Sequence, residues 1–240
     1  MAMAKRVLAL FVSVLLITSL SVPAFAADSK GELTICTGEQ MNLKATPLLP
    51  NSEPRYEDLQ INSLVASISV NVTEPCDQLF RDTYSSYAYE ANRTVERTDD
   101  YLYDEFGIDF TSVAQPLWTS PDSTDPQTLI DDAIADHGLT YNGTQTADIM
   151  MAFSGADAVS GSSTVFGVTY TGDPYACMFD NGYTQNCKSC QHEFGHTYGL
   201  GHHTGTGACV MKQGWDLNWD NFEHLCTTHW DAWDDAKNNY

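Results

Sequence analysis

The sequence from 192 to 202 reads His-Glu-Phe-Gly-His-Thr-Tyr-Gly-Leu-Gly-His, and this stretch decides the fold. On a helix, His192 and His196 lie four residues apart, so both imidazoles project from one face at a separation that suits a single Zn²⁺. Gly199 can adopt a positive φ and end the helix, which would return His202 to the same metal as a third ligand. The stretch therefore predicts one zinc ion held by three histidines.

Glu193 follows the first of these histidines and lies about 100° away around the helix. That offset keeps its carboxylate out of the ligand set and lets it take a proton from a water at the metal, so Glu193 is the expected catalytic base. Three protein ligands leave one position open for water, which is typical of catalytic rather than structural zinc. A secreted zinc-binding surface or adhesion module without turnover is the alternative. It would need the ligands alone, so Glu193 favours an enzyme.

The composition excludes several classes of partner. The chain has 240 residues, with 32 acidic against 11 basic side chains and a net charge of -21. So few bases cannot make the contacts on which binding to nucleic acid or to anionic lipid depends, so neither is an expected partner. The hydrophobic fraction of 42% is enough for a core. Two interpretations of the acidic surface stay open: an ordinary acidic secreted protein, or one suited to concentrated salt.

The first 26 residues have the pattern of a signal peptide. A basic start at Lys5 and Arg6 precedes a mostly apolar run from 7 to 20, and Ala-Phe-Ala ends at Ala26. The apolar run is shorter than the roughly 18 residues that would cross a bilayer. We therefore expect residues 1–26 to be removed and the protein to be secreted, with no membrane anchor after cleavage.

The remaining chain predicts one folded domain behind a polar segment. Residues 27–57 are polar and proline-punctuated, which indicates an N-terminal extension or a short pro-segment. From 58 onward, apolar patterns with the periods of strands and helices alternate, which predicts an α/β layer with a mostly parallel sheet. The strand patterns are at 64–72, 113–118, 147–153 and 165–170, and the helix patterns at 80–102, 125–138 and 222–236.

The extended motif resembles the metzincin clan of zinc endopeptidases, because Met211 follows His202 by nine positions in Ala-Cys-Val-Met. The resemblance implies that Met211 forms a Met-turn beneath the zinc. It also implies a twisted, mostly parallel sheet with an antiparallel edge strand, a long backing helix, the active-site helix and a small C-terminal subdomain with a helix. The catalytic domain would span 58–240, with an upper subdomain at 58–202 and a lower one at 203–240.

The same resemblance suggests how a polypeptide substrate would be held. The strand before the active-site helix is similar to the edge strand that pairs with substrate in this clan. The residues expected to line that edge are Val165, Phe166, Gly167 and Val168.

The branch within the clan stays open between a reprolysin-like and an archaemetzincin-like protein. The segment from Asn221 to Cys226 is similar to the reprolysin-like branch, although that branch usually has Asp where this chain has His203. In the archaemetzincin-like interpretation, a second zinc would be bound by His203, Cys209, Cys226 and His229. Because thiols outside the cell tend to oxidise, we favour a disulfide between Cys209 and Cys226 over that second zinc.

The other cysteines give two further expectations. Cys36 could block the zinc as a thiolate in a latent form, as in some metzincin pro-segments, but a disulfide with Cys76 is the favoured prediction. The pair Cys187 and Cys190 favours disulfides, one of them with Cys177. Calcium near the Asp-rich stretches at 122–125 and 231–235 is not favoured, because neither has the spacing of a ligand loop.

Overall fold

The computed structural model describes residues 30–38, 67–213 and 223–240. The predicted signal peptide and most of the predicted extension at 27–57 lie outside these ranges. Within the described ranges, no helix combines the length and the apolar character needed to cross a membrane.

The strands are β1 (Glu32–Gly38), β2 (Ile68–Thr73), β3 (Ile108–Ala114), β4 (Thr140–Tyr141), β5 (Gln145–Thr146), β6 (Ile149–Ser154), β7 (Val159–Ser160), β8 (Ser163–Thr171) and β9 (Tyr175–Phe179). The helices are α1 (Gln78–Thr83), α2 (Tyr87–Phe106), α3 (Pro126–Asp136), α4 (Tyr183–Thr197) and α5 (Thr227–Ala236).

One sheet organises the molecule, with the strand order β1-β8-β9-β6-β2-β3 and β7 paired to β8. The four strands β9, β6, β2 and β3 run parallel, whereas β8 is antiparallel to β9. The predicted α/β fold with a mostly parallel sheet and an antiparallel strand toward one edge is therefore confirmed. The outermost strand is not β8, because β1 pairs with it along its free side.

The hydrophobic patterns of the sequence predicted some helices and strands correctly and failed to predict others. The single helix predicted for 80–102 is two helices, α1 and α2, and α2 ends at Gly107 with φ +73° as a left-handed cap. Strand β9 was not predicted, because Tyr-Ala-Cys-Met-Phe is short and apolar throughout and has no alternation. Strand β1 lies inside the segment that was predicted to be an extension.

Among the described residues, the larger of two hydrophobic clusters lies where α2 and α4 pack together on one face of the sheet, and the smaller lies around α3. Helix α2 buries one apolar face, including Val95 and Leu102, and every residue of α4 from 185 to 197 is buried. Phe194 of α4 stacks on Phe110 of β3, with ring centroids 4.1 Å apart. A helix enclosed on this scale is held rigidly, so the polar side chains it carries have fixed positions.

Asp77 connects α1 to the end of β6 and generates a stability prediction. Its carboxylate caps α1 by accepting from the Phe80 amide at 2.8 Å, and it also accepts from the Gly155 amide at 3.0 Å and the Ser154 hydroxyl at 2.5 Å. Replacing Asp77 by Ala would leave buried donors unpaired, so we expect Asp77→Ala to lower the free energy of unfolding by about 3 kcal/mol. Chemical denaturation would measure it. The exposed Asp82→Ala should change that free energy by less than about 0.5 kcal/mol, and an equal loss in both variants would contradict the prediction.

Candidate active site

The three predicted zinc ligands meet at the C-terminal end of α4. The Nε2 atom of His196 lies 3.0 Å from Nε2 of His192 and 3.2 Å from Nε2 of His202. Helix α4 ends at Thr197, and Gly199 follows with φ +87°, a conformation that favours glycine. This turn brings His202 back to the two histidines on the helix.

Backbone carbonyls fix the orientation of two of these rings. Nδ1 of His192 donates to the carbonyl of Val210 at 2.6 Å, and Nδ1 of His196 donates to that of Leu200 at 2.7 Å. Burial lowers the pKa of all three histidines, that of His196 to about 4 and that of His192 well below its ordinary value. The rings are therefore neutral, and the Nε2 lone pairs of His192 and His196 point inward.

Cys36 of β1 completes the ring of donors. Its Sγ atom lies 3.2 Å from Nε2 of His192 and 3.4 Å from Nε2 of both His196 and His202. Tetrahedral zinc with bonds of about 2.0 to 2.3 Å separates its ligand atoms by about 3.3 to 3.6 Å. The measured distances between these donor atoms, 3.0 to 3.4 Å, are close to those ligand separations. Neutral imidazole together with thiolate is also a donor set that zinc prefers. The residues present therefore fit a zinc ion.

The predicted disulfide between Cys36 and Cys76 is not formed. Both are free thiols, and Cys76 is buried three residues beyond the end of β2, where its Sγ donates to the carbonyl of Glu74 at 3.3 Å. Pairing of β1 with β8 holds Cys36 over the histidines instead. The predicted disulfides of Cys177, Cys187 and Cys190 are also not formed, since all three are free and buried.

Glu193 lies beside the histidines and is oriented by β8. The hydroxyl of Thr169 donates to its Oε2 at 2.5 Å. Burial raises the pKa of Glu193 to about 8, against the opposing effect of hydrogen bonds from Thr169 and Cys36. A Cβ atom at Gly167 would lie 2.2 Å from Oε1 of Glu193, so that position has no room for a side chain. The role of Thr169 was not predicted, although its position two residues from Gly167 puts it on the same face of the strand.

Met211 lies where the Met-turn was expected. It is fully buried, and a Cβ atom at Gly195 would lie 2.3 Å from its sulfur. The Met211 side chain therefore packs directly against α4 between the two helical histidines.

The predicted substrate edge is already paired with another segment of the chain. Val165, Phe166, Gly167 and Val168 lie on β8 as expected. Strand β1 runs antiparallel along them, with Cys36 opposite Gly167 and a register irregularity after Cys36. The backbone groups that would bind an extended peptide are thus taken by residues 32–38.

A second cluster of metal-ligating side chains lies close to the first. His203, Cys209, Cys226 and His229 each place one ligand atom within 4.8 Å of the others. Nδ1 of His229 lies 3.0 Å from Sγ of Cys226 and 3.5 Å from Sγ of Cys209, while its Nε2 donates to the carbonyl of Gly201 at 3.0 Å. The predicted disulfide between Cys209 and Cys226 is not formed. Two cysteines and two histidines form a donor set that suits zinc.

Among the described residues, these two clusters are the groups of three or more that could hold a metal. The unfavoured calcium positions at 122–125 and 231–235 belong to neither. In the first of them, Asp125 caps α3 by accepting from the amide of Thr128 at 3.1 Å.

Comparison with solved structures shows the same fold elsewhere. Archaemetzincin from Methanopyrus kandleri matches over 70% of this chain and 96% of its own, with 18% identity and a TM-score of 0.53. A zinc-dependent peptidase from Methanocorpusculum labreanum matches over 67% of this chain and 98% of its own, with 12% identity and a TM-score of 0.50. No curated protein matches the sequence.

A family model settles the relationship. The reprolysin-type model of metallo-peptidase family M12 matches residues 67–228, which include β2 and the three converging histidines and extend into α5. The match covers more than half of the chain. With its converging histidines and metzincin-like fold, the chain belongs to metallo-peptidase family M12 and is a zinc metallopeptidase.

Proposed function

We propose that this protein is a secreted zinc endopeptidase, made in a latent form, in which Glu193 is the catalytic base. The observation that carries the proposal is the position of Glu193, buried beside three converging imidazoles and held by Thr169. Secretion rests on the signal-peptide pattern at 1–26. N-terminal sequencing of protein recovered from the culture medium tests it, since an uncleaved N-terminus would count against export by that route.

The mechanism assigns each residue a task. His192, His196 and His202 would hold zinc, which supplies a Lewis acid for the scissile carbonyl and lowers the pKa of a water. Glu193 takes the proton of the attacking water on its carboxylate and passes it to the leaving amine nitrogen. The Thr169 hydroxyl holds Oε2 and so fixes the direction of that transfer. The backbone of β8 pairs with an extended peptide, which favours unfolded or loop segments as substrates.

Latency follows from Cys36 and from the strand that carries it. A thiolate on the metal would take the position that water needs, and β1 covers the edge that substrate needs. Removing or displacing residues 32–38 would open the metal position and the edge of β8 at once.

A zinc-binding module without turnover is the second candidate function. The position of Cys36 beside the three histidines favours it, because four protein ligands are typical of structural zinc.

We further propose that His203, Cys209, Cys226 and His229 hold a second, structural zinc. The cluster joins the chain just after His202 to the first turn of α5 and brackets the Met211 turn. A metal there would tie the C-terminal helix to the catalytic centre. This proposal replaces the disulfide that compartment alone had favoured.

Glu193→Gln removes the base and leaves the ligands, so zinc content should be unchanged while peptide hydrolysis falls about a thousandfold. The measurement is kcat/KM on a peptide library, in a Cys36→Ser background that frees the metal. Glu96→Gln, on the exposed face of α2, is the matched control and should keep full activity. Cleavage by Glu193→Gln at the rate of its parent would show that another group is the base.

Cys36→Ser replaces the thiol by a weak zinc ligand and leaves β1 held by strand pairing alone, so that a peptide can compete for the edge of β8. We therefore expect hydrolysis by the zinc-loaded full chain to rise at least about tenfold. Thr37→Ser, one residue along β1, should leave the low basal rate unchanged. In the unsubstituted chain, Cys36 should react with iodoacetamide only after chelation. No activity in Cys36→Ser against any library peptide would favour the module without turnover.

If a second zinc is bound, the protein should contain about two zinc atoms per chain. In Cys226→Ser the zinc content should fall to about one per chain, and the Tm of the variant should be lower. Metal analysis and thermal unfolding would measure these values, and Ser160→Ala on β7 is a control for both. Thiol titration after chelation and denaturation separates the two interpretations. A zinc site leaves Cys209 and Cys226 titratable, whereas a disulfide would remove both from the count.

A further inference from the structure

Lys30, immediately before β1, binds to a small acidic and aromatic site on the face of the sheet that packs against α3. Its Nζ atom lies 2.5 Å from Oδ1 of Asp131 on α3 and 4.9 Å from the ring centroid of Tyr170 on β8. The next residue follows the same surface, because the amide of Gly31 donates to Oδ2 of Asp173 at 2.5 Å. Asp131 and Tyr170 belong to the peptidase domain, whereas Lys30 belongs to the segment that covers the edge of β8.

The site does not depend on Lys30 for its shape. The hydroxyl of Tyr170 donates to the same Asp131 oxygen at 2.8 Å, and Tyr170 is only 5% exposed. Burial alone would raise the pKa of Asp131, but hydrogen bonds from Lys30 and Tyr170 lower it below its ordinary value. The carboxylate is therefore a fixed anion beside an aromatic face, a combination that binds ammonium and guanidinium groups.

The pairing of β1 relates this site to the metal. Cys36 lies opposite Gly167 and over the histidines, so it marks the position along β8 at which the zinc would lie. Lys30 precedes Cys36 by six residues, a distance of about 20 Å along an extended chain. The register irregularity in β1 comes after Cys36 and does not affect this count.

We propose that Asp131 and Tyr170 form a substrate subsite that selects Lys or Arg about six residues before the residue at the metal. The proposal rests on the peptidase function and on substrates running in the direction of β1. Lys30 would occupy this subsite in the latent chain and leave it on activation. The acidic composition supports the same preference over a longer range, since a strongly negative surface attracts basic segments.

The test uses the zinc-loaded full chain with Cys36→Ser and Lys30→Gln. The two changes remove the contacts of this segment with the metal and with the subsite and leave β1 held by strand pairing alone, so that a peptide can displace it. Two fluorogenic peptides differ only in Lys or norleucine at the sixth residue before the one whose carbonyl is cleaved. We expect kcat/KM to favour the Lys peptide about five- to tenfold. The ratio should fall to about one with Asp131→Asn or in about 1 M salt. Asp136→Asn, which removes an exposed charge from the same helix, should keep the preference.

A binding measurement separates this proposal from the peptidase function. A labelled peptide of residues 30–38 with Ser in place of Cys36 should bind that chain about fivefold more tightly than the same peptide with norleucine at 30. Fluorescence anisotropy measures this without turnover. Equal binding and equal cleavage of the paired peptides would overturn the subsite and leave the peptidase intact. A Lys preference only after the cleaved bond would overturn it as well. Clear discrimination in binding, with no cleavage of any peptide, would count against the endopeptidase alone.

Discussion

Three neutral imidazoles direct their Nε2 atoms at one point, and the rest of the structure depends on holding them there. Lone pairs crowded to 3.0 and 3.2 Å repel one another unless a metal or a proton lies between them. The surroundings must therefore fix the rings. A buried helix provides two of them, Gly199 returns the third, and the carbonyls of Val210 and Leu200 fix Nδ1 of the helical pair. The Met211 turn closes the site against Gly195.

In the proposed enzyme, strand β8 would serve both catalysis and its regulation. One face carries Gly167 and Thr169 against Glu193, and the edge away from β9 carries the backbone groups with which β1 pairs. An edge that can bind substrate can bind any extended segment, so it must be covered when the enzyme is idle. Strand β1 covers it, and the same register that pairs the backbones puts Cys36 on the histidines and Lys30 on Asp131. In the proposed latent form, a single strand would block metal, edge and subsite together.

The parts of the fold that could be predicted are those set by short spacings. The ligand set, the turn at Gly199, the position of Glu193 and the α/β pattern all follow from residues a few positions apart. Strand β9 was missed because it has no alternation, and the break between α1 and α2 because the helical period continues across it. Thr169 was missed because its partner Glu193 is 24 residues away along the chain.

The contacts of the cysteines show the limit of what the sequence alone determines. By itself it determined that three histidines converge beside Glu193 at the end of a helix, because the i, i+4 spacing and a positive-φ glycine fix that geometry locally. It could not determine which sulfur meets which nitrogen, and an argument from compartment alone favoured disulfides. Only the tertiary structure put Cys36 beside His192, 156 residues away, and Cys209 near His229, 20 residues away. The physical reason is that those meetings depend on strand pairing and helix packing between distant segments, which no local spacing encodes.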